Sequence, residues 1–590
     1  LNVPHVDDIV FNVPIDIEGE SLLDGSDTAN SLLPEAIGYW QQALSVRPTI
    51  SPIRLYRKCV SNRYYTRPGD NYQSCEKACR ENTTCGEVIV PDEHLYDIRR
   101  CDSSGLPDGP GVSGADFLLY VSAVKSERCV GVDTVAYAAH CQQEAIFDRP
   151  IAGHVNLCPS ALSVETHDRE VLLSTVKHEI LHALGFSAGL YAFFRDENGR
   201  PRTKRWNPNN KPESLNVERG YYNWDSSTIR TIVRDDWWTA KGRTLHEVHV
   251  MVTPRVRKEA ILHFGCKDLE GAELENQGGE GTALTHWEKR LFENEAMTGT
   301  HTQNPVYSRL TLALLEDSGW YKANYSVAET LHWGKDLGCE FAMKSCGEWI
   351  QNQHLPPSPY CDEIKHDGTR SLATTRCTTQ RDSLALCNLV PYKQPLPEEY
   401  LNFDYLKGVR SEGLKYYGGS VELADYCPYN QEFEWKATNL TERRDSRCEL
   451  PGNLVPEDTN TILEVYGEDS MCFDLKTSWT EKRCGMLRNF TQYMAGCYEY
   501  HCMDGLLHLQ IFNGSDLYPC YHPGQPIYIR RIVNGWLREG TILCPACDDF
   551  CHEPPNDYIG DEPLKEPCFA CAVKYSLTLL LILLSLPSFL

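Results

Sequence analysis

His178-Glu179-Ile180-Leu181-His182, with Gly185 three residues on, is the stretch whose reading decides the fold. Around it Val171, Leu172, Val176, Ile180, Leu181 and Leu184 recur at helical spacing, so the segment is expected to be an amphipathic helix opened by Thr166 or Asp168. Histidines four residues apart then project from one face about one turn apart, which suits a divalent metal, and Glu179 between them can accept a proton from a metal-held water. The competing reading is a chance match on a core helix, but the amphipathic setting favours the metal. Gly185 sits where a chain leaving a helix sharply benefits from having no Cβ.

A catalytic zinc keeps three protein ligands and one open position. In the compact spacing the third histidine would fall six residues after His182, where the chain has Ala188. His246, His249, His263, His286 and His301 remain as candidates. Among them His286 follows the glycine-rich segment 277–281 and precedes Glu295-Ala296-Met297-Thr298, whose methionine is one of only 7 in the chain and could form a tight turn below a metal.

At 590 residues the chain exceeds one core, and its 41% apolar content is that of a folded protein. A net charge of −25 argues against nucleic acid as a partner and offers no polybasic patch for anionic lipid. The 26 cysteines are spread in small groups (Cys75, Cys79 and Cys85; Cys129 and Cys141; Cys339 and Cys346), which reads as disulfides made in an oxidising compartment. Cys544, Cys547 and Cys551 lack the second half of a zinc site and are also read as disulfide partners. Sequons at Asn82, Asn324, Asn439, Asn489 and Asn513 agree with the secretory route.

Glu87 to Pro91 and Asp116 to Val124 are expected as buried strands of a small sheet ahead of the metal helix, and Ser187 to Thr285 reads as an insertion. The chain opens at Leu1 without methionine, as expected of a processed or partial chain. Leu577 to Leu590 is apolar but shorter than the roughly 20 residues that span a bilayer, and it is read as a glycolipid-anchor signal in preference to a transmembrane anchor reaching back to Phe569.

The run HEILHALGF from His178 to Phe186, the break of about a hundred residues, GGEGTALTH ending at His286 and ENEAMTG around Met297 together resemble the leishmanolysin family of zinc endopeptidases. Residues 141–159, 301–326 and 416–428 are similar to its animal (invadolysin) branch. The resemblance implies one Zn²⁺ per chain held by His178, His182 and His286, Glu179 as general base, and Met297 with Gly185 in supporting turns. It implies an α+β fold: a metzincin-like zincin catalytic domain split by an inserted central domain and followed by a disulfide-rich C-terminal domain. The corresponding divisions are an N-terminal segment 1–58, a catalytic lobe 59–186, the insertion 187–285, the third ligand and methionine turn 286–330, a cysteine-rich domain 331–567 and an apolar tail 568–590. Expected substrates are proteins or peptides, with membrane association through the tail or a lipid anchor. The resemblance further implies links to adhesion, migration and cell division, on the secretory route or cell surface, the alternative being a cytoplasmic or lipid-droplet pool. The competing functions are a surface adhesion or receptor protein whose peptidase site has lapsed, and a purely structural zinc.

Overall fold

The computed structural model describes residues 7–551 except 14, 17–24, 50, 62–63, 66–73, 97–108, 131–133, 162–167, 207–209, 280, 353–357, 365–372, 436–443, 504–505, 512–515 and 547–549. Thr166, Cys547 and the apolar tail therefore lie outside the described residues. Helix and strand are mixed throughout. The chain divides into two compact units, one made of residues 1–237, 243–344 and 423–425, the other of 238–242, 345–422 and 426–590.

The first unit is built on a five-stranded sheet. Its strands are β1 (Phe11–Asn12), β2 (Ile15–Asp16), β3 (Phe117–Ser122), β4 (Ala136–Gln143) and β5 (Pro150–Leu157). They run in the order β4-β5-β3-β1, with β2 also on β3. β3 is buried along its whole length, as a continuous Phe-Leu-Leu-Tyr-Val run requires, and β5 and β1 lie parallel to it. β4 pairs antiparallel with β5 and forms an edge of the sheet. Of the two strands read from the sequence, Asp116 to Val124 contains β3, and Glu87 to Pro91 contains only the two-residue strand Val88–Ile89, which pairs with Thr84–Cys85 in a separate ladder.

Across this sheet lies α2 (Arg169–Leu184), the metal-motif helix, and α1 (Gly25–Ala43) packs on α2. Leu172, Leu173, Val176, Ile180, Leu181, Ala183 and Leu184 are all buried. At ~25 cal/mol per Å², each fully buried leucine or isoleucine contributes about 1.5–3 kcal/mol, so packing rather than helix propensity holds α2 in place. A Cβ added at Gly153 on β5 would stand 2.7 Å from the Ala183 Cβ, so glycine there sets how closely helix and sheet approach. Three side chains bond the helix backbone: Trp40 Nε1–H donates to the Lys177 carbonyl at 3.0 Å, Tyr307 hydroxyl to Ser174 at 2.8 Å, and Tyr321 hydroxyl to Leu184 at 2.9 Å. Asp168 precedes the first turn, yet its carboxylate makes no capping bond.

After α2 come α3 (Ala188–Tyr191), the strands β6 (Ile229–Thr239) and β7 (Gly242–Met251), α4 (Pro254–Phe264), β8 (Ala272–Leu274), α5 (Lys289–Phe292) and α6 (Arg309–Asp317). β7 pairs antiparallel with β8, which brings the chain to the glycine-rich segment before His286.

The second unit is dominated by a seven-stranded antiparallel sheet. Its strands are β9 (Ser470–Arg483), β10 (Met486–Phe490), β11 (Ala495–Met503), β12 (Leu506–Gln510), β13 (Leu517–Cys520), β14 (Pro526–Val533) and β15 (Trp536–Leu543), in the order β13-β12-β11-β9-β15-β14 with β10 also on β9. Phe473, Trp479, Tyr498, Leu509, Ile529 and Ile542 fill its core.

Ten disulfides are described. The first unit has Cys59–Cys75, Cys85–Cys141, Cys129–Cys158 and Cys266–Cys339. The second has Cys346–Cys427, Cys361–Cys387, Cys377–Cys472, Cys448–Cys497, Cys502–Cys551 and Cys520–Cys544. Cys544 and Cys551 thus pair with different partners. Such density marks an extracellular or secretory protein. Among the described residues no helix is long and apolar enough to cross a membrane.

Candidate metal centre

α2 carries His178 and His182 on one face, and the loop after β8 returns to place His286 against them. His178 Nε2 lies 3.0 Å from His182 Nε2 and 3.2 Å from His286 Nε2. The other ring nitrogens all face oxygen. His178 Nδ1 lies 2.6 Å from the Ala296 carbonyl, His182 Nδ1 2.7 Å from that of Phe186, and His286 Nδ1 3.0 Å from that of Thr282. A carbonyl only accepts, so each Nδ1 carries the proton and each Nε2 presents a lone pair.

Three lone pairs therefore converge with no proton to separate them. Left alone such an arrangement is repulsive; with a cation between them it is a ligand set. A tetrahedral zinc with Zn–N near 2.0–2.1 Å separates its ligand nitrogens by roughly 3.3 Å, close to the spacing of this cluster. The residues present thus fit a metal ion with three imidazole ligands.

Burial holds all three imidazoles neutral. His178 is pushed well below its ordinary value by desolvation and then by its two histidine neighbours, His182 is lowered by desolvation, and His286 falls to about 3 for the same reason with His182 adding to it. Neutral rings keep their lone pairs available at physiological pH. Glu179, one residue from His178, is also buried, and desolvation raises its carboxyl to about 8 against a hydrogen bond from the Ala138 backbone N–H. That N–H belongs to the edge strand β4.

The other histidines weighed from sequence are not part of this cluster. His246 stacks on Trp237 with ring centroids 4.0 Å apart, His249 lies half-buried on β7, His263 Nε2 bonds the Trp333 carbonyl at 2.8 Å, and His301 is exposed.

Met297 is fully buried, and its turn reaches the centre through backbone: the Ala296 carbonyl beside it is the acceptor for His178. The turn is anchored by Glu295, which sequence reading passed over. One carboxylate oxygen accepts from Met297 N–H at 2.6 Å; the other accepts from Ser308 N–H at 3.2 Å, from the Ser308 hydroxyl at 3.0 Å and from the Thr311 hydroxyl. Gly185 has an extended backbone, φ 176°, which any residue adopts. Glycine suits the position for packing instead, because a Cβ there would lie 3.2 Å from Leu315. The signals sequence could not carry are the three carbonyls, since every residue has one.

Comparison with known proteins gives this cluster its context. Residues 79–557 match the leishmanolysin peptidase family. The chain belongs to the leishmanolysin family and is a metallopeptidase. It is 61% identical over 551 residues to the leishmanolysin-like peptidase of Caenorhabditis elegans, covering 91% of this chain and 83% of that protein. With the leishmanolysin-like peptidase of Drosophila melanogaster it shares 51% identity over 534 residues, 88% of this chain and 77% of the relative. The leishmanolysin of Leishmania donovani is more distant, at 26% over 481 residues, 80% of this chain and 64% of that one.

Proposed function

We propose that the protein is a zinc-dependent endopeptidase in which His178, His182 and His286 hold one Zn²⁺ and Glu179 is the general base. The observation that carries this reading is the convergence of three imidazole lone pairs, each fixed by a carbonyl behind the ring. Zinc bound there supplies Lewis acidity, lowering the pKa of water and polarising a peptide carbonyl. Glu179 takes a proton on its carboxylate and later returns it to the leaving amine. Its burial matters: a carboxyl pushed up to about 8 is basic enough to hold that proton between the two transfers.

The same reading takes residues 59–186 and 286–330 as parts of one metzincin-like catalytic domain, 187–285 as its insertion and Met297 as its supporting turn. It places the enzyme at the cell surface, anchored through the tail, and assigns its cleavage of proteins to adhesion, migration and cell division, on the strength of the family resemblance. The test is zinc content measured together with casein cleavage. Cleavage should stop on chelation and return with zinc, and Glu179→Gln should keep the metal while losing turnover. A zinc-free protein that still cleaves, or full turnover in Glu179→Gln, would refute the reading.

A further inference from the structure

The edge strand that contacts Glu179 continues into a second polar feature. From Ala138, whose N–H acts on the Glu179 carboxylate, β4 runs on through His140 to Gln143, and at that end lies a cavity of about 250 Å³. Tyr56, Lys58, His140, Gln143, Asp148 and Lys211 are among the residues lining it.

Its lining sets two lysines, Lys58 and Lys211, beside two acids, Glu144 and Asp148. Asp148 is already committed to two guanidiniums, Arg195 at 2.6 Å and Arg205 at 3.0 Å. The carboxylate of Glu144 accepts the backbone N–H groups of Ile146 and Phe147, at 3.1 and 2.6 Å. The two lysines have no such commitment. Lys58 Nζ donates to the Thr84 hydroxyl at 3.3 Å, and Lys211 Nζ stands 5.2 Å from the centre of the Phe193 ring; neither has a carboxylate within ion-pair distance among the described residues. Among the described residues, then, two half-buried ammonium groups face one cavity with no ion pair of their own, Lys211 feeling only the shared Asp148 carboxylate. Burial lowers the pKa of both, so an incoming carboxylate would relieve a cost already present. His140 is pushed down to about 4 and stays neutral, leaving the lysines as the positive groups of the lining.

The walls are preformed. The Gln142 side chain pairs with both the N–H and the carbonyl of Tyr56 at 2.7 Å, Gln143 Nε2 donates to the Asp148 carbonyl at 2.7 Å, and Cys141 is disulfide-bonded to Cys85. A braced cavity with two lysines in its wall, at the end of an edge strand, suits a side chain of a peptide laid along that strand, because an exposed edge offers main-chain hydrogen bonds and pockets read alternate side chains. Four residues of strand advance roughly 13 Å, so an extended chain cut beside Glu179 reaches the cavity about three to five residues from the scissile bond.

We infer that the cavity lined by Lys58 and Lys211 is a specificity subsite that binds the side-chain carboxylate of a glutamate or aspartate in the substrate, about three to five residues from the bond cleaved. The inference rests on the peptidase reading above. Its test uses the full zinc-loaded chain and fluorogenic peptides, acetylated and amidated at their ends so that no terminal charge competes. Each carries Glu, Gln or Lys in turn at positions three to five residues to either side of the bond cut. At one of these positions Glu should exceed Gln in kcat/KM by roughly tenfold. The double variant Lys58→Met/Lys211→Met should bring that ratio to about one, Lys58→Arg/Lys211→Arg should keep it, and Lys211→Glu alone should favour the Lys peptide. If no position prefers Glu, or if the preference survives the double methionine variant, the inference is wrong; should that variant not fold, the charge reversal decides in the same way. Failure to cleave any peptide would instead refute the peptidase reading, so the two failures are distinct.

Discussion

Replacing Glu295 by glutamine should weaken zinc binding without unfolding the protein. The two carboxylate oxygens accept four hydrogen bonds, three on one oxygen and one, from Met297 N–H at 2.6 Å, on the other. Glutamine offers a single carbonyl. Its better orientation keeps the Ser308 and Thr311 bonds and turns the amide group towards Met297, so a hydrogen bond becomes a contact between two donors. That loss costs about 1.5–3 kcal/mol. It is offset because burial holds the Glu295 carboxyl up at about 7, and removing an ionisable group whose pKa has risen that far from 4.5 recovers about 3 kcal/mol at neutral pH. The two terms nearly cancel, so the melting temperature of the metal-free protein should change little. Zinc affinity should change a great deal. Displacing the Met297 turn moves the Ala296 carbonyl from its 2.6 Å bond to His178, and losing a partner behind a metal-ligating histidine typically costs 10–100-fold in affinity. Competition titration against a chromogenic chelator measures the dissociation constant, with thermal melts of the metal-free protein alongside. An affinity within about threefold of wild type would refute the coupling between turn and ligand.

Three further outcomes follow from the same geometry. Glu179→Gln should retain zinc by elemental analysis yet lose at least about 100-fold in kcat, since it removes the proton acceptor and leaves the three imidazoles. His286→Ala should abolish the rise in melting temperature that zinc gives the wild type, because two imidazoles remain where three converged. In the second unit, burial raises the Glu464 carboxyl from 4.5 to about 7, although Cys497 N–H and the Tyr466 hydroxyl both donate to it at 3.2 Å. A raised folded-state pKa means that its stabilising contribution is complete below about pH 4.5 and is lost as pH rises through about 7. Relative to Glu464→Gln, the wild type should therefore lose about 3 kcal/mol of stability between pH 4.5 and 8, read by urea unfolding with disulfides intact; a difference flat with pH would contradict it.

The parts of the site legible in the sequence are those whose chemistry resides in side chains at fixed spacing. The α2 motif is readable because a 3.6-residue period places His178 beside His182 whatever the surroundings. His286 is different: a hundred residues separate it from the helix, and it stood out among five candidates only through the glycine-rich approach and the methionine downstream. The strand β4, Ala-Tyr-Ala-Ala-His-Cys-Gln-Gln, escaped notice because it is poor in the β-branched residues that mark strands, and its place at a sheet edge depends on tertiary pairing. The long sheet of the second unit was hidden for another reason. In β14 the alternation is short, Ile527 in, Tyr528 out, Ile529 in, Arg530 out, and the exposed Tyr528 and Ile532 are as apolar as the buried residues, so the period of two is faint in the sequence.

The three rings of the metal centre are steered by peptide oxygens, contributed by Ala296, Phe186 and Thr282. An oxygen of that kind belongs to whatever amino acid occupies the position, so a point mutation there alters a side chain and spares the acceptor. The aim of the imidazoles thus depends on the path of the main chain rather than on those three side chains; insertions, deletions or prolines that shift the main chain are what would spoil it.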